Sequence, residues 1–103
     1  MKIAVVSTDG VTVNDHFGKA SRFLIHEMSE SGPKLVEERA CEPLSTGDPD
    51  HPFDEVKFSQ IMAALEGCKK VFMTRIGDMP AAKLREKGVE PILYEGPIAS
   101  LPM

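Results

Sequence analysis

The feature that most restricts the fold is the segment Lys2-Ile3-Ala4-Val5-Val6-Ser7, whose interior is apolar at every position and rich in β-branched side chains. Successive side chains of a strand point to opposite faces, so such a run is satisfied only as a strand buried on both sides. Lys70-Val71-Phe72-Met73-Thr74 repeats the pattern. Two strands of this kind require a central sheet with cover on both faces.

The rest of the chain supplies the neighbours and the cover. Residues 8–21 form a polar, turn-rich stretch broken by Asp9-Gly10, Asn14-Asp15 and Gly18. Residues 22–28 predict a second strand, with Phe23 and Ile25 on one face and Leu24, His26 and Met28 on the other. The turn Ser29-Glu30-Ser31-Gly32-Pro33 reverses the chain, and residues 34–41 are polar enough to be a hairpin partner at a sheet edge. Residues 42–53 are a long loop dense in Pro, Asp, Gly and Ser, of the kind that often carries function.

Phe58, Ile61, Met62 and Leu65 then share one helical face. Asp54 is placed to cap that helix, Phe53 to pack on Phe58, and Gly67 to end it in the left-handed conformation. After the second buried strand, Asp78 is the expected N-cap of a short helix that ends before Gly88, with Pro80 tolerated in its first turn. Residues 89–94 predict the last strand, and residues 94–103, which contain Pro97 and Pro102, an extended and weakly held tail.

The predicted order is β-β-β-α-β-α-β, an antiparallel meander followed by right-handed crossovers that add parallel strands. Two helices are few for two apolar faces. One face is therefore expected to be partly bare, open to cargo or to a second copy of the chain.

Length and composition narrow the function. The 103 residues suit one domain, residues 1–103, and 42% hydrophobic with 27% charged residues is ordinary for a globule. The net charge of −4 and scattered Lys and Arg argue against nucleic acid, which is bound through a basic stripe. The apolar runs fall far short of the roughly 20 residues that span a bilayer, so no membrane association is expected. The opening residues lack the apolar core and cleavage site of a secretory signal, and two cysteines make no disulfide framework. A reduced, cytoplasmic setting is predicted.

Catalytic signatures are missing. There is no dinucleotide or phosphate-loop glycine motif, no Gly-x-Ser-x-Gly elbow and no Cys-x-x-Cys pair. The chemistry-bearing residues are His16, His26, His51, Cys41 and Cys68. His16 lies between two predicted strands in Val13-Asn14-Asp15-His16-Phe17-Gly18, where an imidazole can reach a ligand at the end of the sheet. Phe17 is placed to anchor that loop, Gly18 to give it backbone freedom, and Asp15 to orient the ring. The residues alone leave two readings open for His16, a ligand or a turn-capping side chain.

His26 reads as a satisfied, half-buried strand histidine and Cys68 as a small hydrophobe packed with Val71. Cys41 ends a strand before the long loop, either as an inert side chain or as a thiolate for a soft metal. His51, in Asp48-Pro49-Asp50-His51-Pro52, is expected to be exposed, and folds over a ligand if its loop is a lid. Arg75, in Thr74-Arg75-Ile76-Gly77-Asp78, combines a permanent charge with free N–H groups at a helix start, an arrangement suited to an anion. The same residues also describe a routine strand–helix turn.

Asn14-Asp15-His16-Phe17-Gly18-Lys19-Ala20 followed by Arg22-Phe23-Leu24-Ile25-His26-Glu27 resembles the opening of the nitrogenase iron–molybdenum cofactor biosynthesis family. Leu65-Glu66-Gly67-Cys68-Lys69-Lys70-Val71, Arg75-Ile76-Gly77, Ala81-Ala82-Lys83-Leu84 and Gly88-Val89-Glu90-Pro91 extend the resemblance to about residue 94. It implies a ribonuclease H-like, three-layer α/β fold around a mixed five-stranded sheet. It also implies a non-enzymatic role, binding and delivering an iron–sulfur cofactor or precursor cluster between donor and acceptor proteins.

By that resemblance His16, with Phe17 and Gly18, is the leading cluster contact, and Arg75 with Gly77 the second. Cys41 is then an optional metal ligand beside His16. Cys41 and Cys68 make no four-cysteine nest, so transient binding of an iron–molybdenum-cofactor-like cargo fits better than a ferredoxin-type cluster. The expected state is a monomer or weak dimer. The Asp48–Pro52 loop matches no family motif.

Two rival readings remain at this stage. Ribonuclease H-like sheets also carry Mg²⁺-dependent nuclease sites, for which Asp9, Asp78 and Glu27 are the available carboxylates. A regulatory module that binds an anionic metabolite at the Arg75 turn is the other.

Overall fold

A computed structural model describes residues 1–41 and 55–101. Its main sheet has five strands: β1 (Lys2–Val5), β3 (Arg22–Ser29), β4 (Gly32–Ala40), β5 (Cys68–Met73) and β6 (Glu90–Leu93). Two short strands, β2 (Thr12–Val13) and β7 (Gly96–Pro97), form a separate ribbon. The helices are α1 (Glu55–Ala64) and α2 (Asp78–Glu86). The sheet order is β4-β3-β1-β5-β6, antiparallel through β4, β3 and β1 and parallel through β1, β5 and β6.

β1 and β5 are the doubly buried strands. Ala4 and Val6, with Val71 and Met73, point into one apolar cluster; Ile3, Val5 and Phe72 point into the other. β3 divides in the same way, Phe23 and Ile25 against Leu24 and Met28. β4 is an exposed edge whose ladder to β3 is interrupted between Ile25 and His26. Pro33, the interruption and the charged side chains blunt that edge against pairing with another chain.

The two helices share one face. Phe58, Ile61 and Leu65 from the first helical region and Leu84 from α2 pack in the same cluster, together with Cys68. Met62 is only partly buried beside them. Gly67 ends the first helix at φ +85°, as its position requires. The expected Asp54 cap, the Phe53 contact and the 42–53 loop, with His51, lie outside the described residues.

The opposite face corrects two expectations. It is not bare, and the tail is not weakly held. Val13 of β2 joins Ile98 and Leu101 over Ile3, Val5, Leu24, Met28 and Phe72, with Ile92 and Tyr94 at the margin. Gly96 and Pro97 pair with Val13 and Thr12, and a helical turn at Ile98–Ser100 follows against β4. The layers are thus helices, sheet, and a cover of ribbon and turn. The apolar positions Ile98 and Leu101 outweigh the prolines, because burying them closes a face that otherwise stays wet.

A second correction is local. The N-cap of α2 is Gly77, in extended conformation and without a side-chain cap bond, and Asp78 is already in the first turn. The first amides of α2 are therefore not met by a capping side chain.

Arg39 fastens the edge strand to α1. Its Nη1 donates to the carbonyls of Ala64 and Glu66 at 2.9 and 2.8 Å, and its Nη2 to Glu37 at 2.9 Å. A cation on the open carbonyls of a helix C-terminus is favourable in both hydrogen bonding and dipole. Arg39→Met is expected to lower unfolding stability by about 1–3 kcal/mol in urea titration, and an unchanged midpoint would contradict the clamp.

His26 is buried on the Leu24 side, with Nδ1 3.3 Å from the Leu24 carbonyl. Burial lowers its pKa below the ordinary 6.5, and the Leu24 contact opposes that only in part. The unfolded chain then binds more protons near and below that value, so stability is held above it and falls as pH drops through the lowered pKa. Denaturation midpoints measured between about pH 7.5 and about pH 5 should fall on the acid side, and His26→Gln should flatten that slope.

Candidate functional site

The His16 loop leaves β1, turns back, and returns to the end of β5. The turn is built by Asp9, whose Oδ1 accepts the amides of Val11 and Thr12 at 2.8 and 2.9 Å and the Ser7 hydroxyl at 3.1 Å. Its Oδ2 accepts the Thr12 hydroxyl at 2.8 Å. These bonds, led by the Thr12 and Val11 amides, hold the carboxyl far below the usual carboxylate range. Gly10, at φ +77°, makes the turn possible. Asn14 locks the return: its Oδ1 accepts the Thr8 amide at 2.9 Å and its Nδ2 donates to the Thr8 hydroxyl at 2.8 Å.

Beyond Asn14 the loop pairs with the segment that follows β5. The Thr74 amide donates to the Asp15 carbonyl at 3.0 Å, and the Phe17 amide to the Arg75 carbonyl at 2.9 Å. His16 and Arg75 thereby face one another in a parallel bridge. Phe17 is fully buried and stacks at an angle on Phe23, with ring centroids 5.7 Å apart. Two candidates 59 positions apart in sequence are brought side by side at the carboxyl ends of the parallel strands, where open α/β sheets carry their ligands.

The His16 ring is half-buried and makes no hydrogen bond with any described residue. Arg75 is exposed, and its guanidinium likewise has no partner among the described residues. Gly77, two residues after Arg75, is the N-cap of α2 without a side-chain cap bond, and Asp78 follows with a carboxylate. Beside the loop lies a cleft of about 280 Å³ lined by Val6, Ser7, Thr8, Asp15, Ala20, Ser21 and Arg22. The cleft shares Asp15 with the loop; the His16 ring is not in its lining.

Several expected roles change. Asp15 does not orient the imidazole: its Oδ1 accepts the His16 backbone amide at 2.8 Å. Gly18 is in the helical turn Phe17–Lys19 and is not among the positive-φ glycines, so the loop makes no use of its freedom there. Cys41 is half-buried, donates from Sγ to the Ala20 carbonyl at 3.4 Å, and has its pKa raised by burial. The neutral thiol is favoured, the inert one of the two readings open for Cys41. Cys68 is buried and its thiol is also pushed up, mainly by burial.

The carboxylates proposed for a nuclease do not converge. Glu27 pairs with Lys2 at the start of β1 and binds the N-terminal amine at 3.0 Å, whereas Asp9 follows the other end of that strand and is consumed by its turn. Among the described residues, no group of three or more His, Cys, Asp or Glu side chains is placed to hold a metal ion. No described helix is long and apolar enough to cross a membrane.

Sequence reasoning missed the ribbon that supports the loop. Val13 and Ile98 are isolated apolar residues in polar stretches, and two-residue strands carry no readable periodicity.

The chain is similar to known proteins. The chain resembles the FeMo cofactor biosynthesis protein NifB of Klebsiella pneumoniae, 38% identical over 91 residues, covering 86% of this chain and 19% of that protein. NifB of Sinorhizobium fredii is 36% identical over 89 residues, covering 86% and 17%. Protein NifX of Sinorhizobium fredii is 30% identical over 100 residues, 96% of this chain and 62% of NifX. The chain thus spans less than a fifth of these NifB proteins and under two thirds of NifX.

In fold it is similar to the crystal structure of PH0822, with a TM-score of 0.67 at 19% identity over 96% of this chain and 84% of that one. The NMR structure of TM1290 from Thermotoga gives 0.56 at 20% identity, over 95% and 79%. Residues 1–100 match the family model described as dinitrogenase iron-molybdenum cofactor, and the chain belongs to that family.

Proposed function

We propose that this domain is a carrier, which binds an iron–sulfur cofactor or precursor cluster of the iron–molybdenum-cofactor kind at the His16–Arg75 rim and passes it on without chemical change. The observation that carries the reading is the main-chain bridge between His16 and Arg75, whose side chains have no hydrogen-bond partner among the described residues, at a helix start without a side-chain cap. His16 supplies one coordinate bond through its neutral ring. Arg75, the free amides near Gly77 and the positive end of α2 favour an anionic cargo. Phe17 fixes the loop from below, and Gly18 continues the turn.

One imidazole with electrostatic support makes a releasable grip, which suits a protein that must surrender what it holds. Cys41 joins the ligand set only if its bond to the Ala20 carbonyl opens and its proton leaves. The membership of the family and the similarity to NifX and NifB support cofactor assembly as the setting. In that setting the partners are cluster donor and acceptor proteins, in the cytoplasm, and the domain acts as a monomer or weak dimer. The ribonuclease H-like description belongs to the same reading, supported by the antiparallel β4-β3-β1 meander that runs into parallel β5 and β6.

Anaerobic reconstitution with iron and sulfide, or transfer of a preformed cluster, followed by visible absorbance, tests the assignment. His16→Ala should weaken binding by at least about tenfold, a loss of the size found even for groups that only support a metal ligand. Binding unchanged in that variant would remove the site; anion binding that survives with no metal would favour a metabolite-binding module instead. Arg75→Gln should weaken binding several-fold and reduce its dependence on salt.

A further inference from the structure

Both halves of the His16–Arg75 rim are tied to one C-terminal residue. The Tyr94 amide donates to the Met73 carbonyl at 2.8 Å, at the end of β5 and directly before Thr74 and Arg75. The Tyr94 ring packs edge-on against Phe72, with centroids 6.3 Å apart, and its hydroxyl donates to the Pro97 carbonyl at 2.7 Å. That bond bends the chain so that Gly96 and Pro97 lie along β2, and the Ile98 amide then donates to the Val11 carbonyl at 2.9 Å.

Asp9 and Asn14 close the turn that carries β2 upon itself. Its ladder partner is β7, and the adjoining Asn14 amide reaches the Val6 carbonyl at a long 3.3 Å. A ribbon of two-residue strands does not hold itself in water. What seats it on the sheet is Val13, fully buried, packed in one cluster with Ile98 and the sheet residues Ile3, Val5 and Phe72. Only two residues separate Val13 from His16, so a displacement of β2 is carried almost directly to the imidazole. Gly96 has φ +142°, and a Cβ there would stand 3.4 Å from the Tyr94 hydroxyl, so a side chain would meet both backbone strain and the phenol.

We infer that residues 94–101 are a clasp that sets the position of the cargo-binding loop, with Tyr94, Gly96 and Ile98 as positioning residues that do not themselves touch cargo. The functional part of this inference rests on the carrier reading above; the mechanical part does not. Tyr94→Phe removes the hydroxyl and keeps the ring on Phe72. Gly96→Ala disturbs the bend, and Ile98→Val trims the buried anchor by one methyl-sized group.

Hydrogen exchange on the full chain without cargo reads the mechanical part. In Tyr94→Phe the amides of Asn14 and Phe17 should exchange about tenfold faster, while those of Ala4 and Val71 in the central strands keep their protection. Ile98→Val should give the same pattern more weakly, and serves where Gly96→Ala does not fold. Exchange at Asn14 and Phe17 unchanged from wild type, or protection lost evenly across the sheet, would overturn the clasp.

Reconstitution with iron and sulfide reads the functional part. Tyr94→Phe should bind the cluster several-fold more weakly, with a melting temperature close to wild type. Wild-type affinity together with faster loop exchange would overturn the positioning role. Wild-type affinity in His16→Ala would instead count against the carrier reading and leave the exchange result standing.

Discussion

The site depends on two backbone hydrogen bonds, from Thr74 to the Asp15 carbonyl and from Phe17 to the Arg75 carbonyl. They prolong the edge of β5 by a short parallel pairing with a loop that began at the end of β1. Backbone bonds of this kind fix register, and register here decides which side chains meet. Phe17 is driven into the core beside Phe23, which leaves His16, its neighbour, at the rim. The exposure of the imidazole is thus a consequence of the burial of the phenylalanine.

The same economy governs the two faces of the sheet. Both helices lie on one side, packing in the same cluster through Phe58, Ile61 and Leu84. The other side has to be closed by whatever chain is left over, which is the ribbon β2–β7 and the turn at Ile98–Ser100. This makeshift cover has a consequence for function. A helix would have shielded the face without touching the loop, whereas the ribbon is made in part from the loop itself, so closing the core and placing His16 are one event.

In the proposed site the charge at the rim suits a modest grip. Arg75 and the start of α2 attract an anion, while Asp78 and the net charge of −4 weaken that attraction. Among the described residues the other histidine and both cysteines are withdrawn. Cys68 is in the core, Cys41 is bonded to the Ala20 carbonyl with its proton retained, and His26 is buried among strands. One imidazole holds a cluster less firmly than a nest of cysteines does, a difference that suits the proposed carrier role.

Much of this was legible in the chain. The uninterrupted apolar runs Ile3–Val6 and Val71–Met73 determined two doubly buried central strands, the alternation of residues 22–28 determined β3, and the spacing of Phe58, Ile61 and Leu65 determined a helix. The motif around His16 and the turn at Arg75 were each visible, because each is local. What only the tertiary structure decided was their adjacency, the capture of Cys41, and the closing of the second face by the tail. The physical reason is the same in each case. Periodicity records which side of its own element a residue faces, whereas these features arise from hydrogen bonds and burial between segments 20 to 87 positions apart, and nothing in a local pattern encodes the partner.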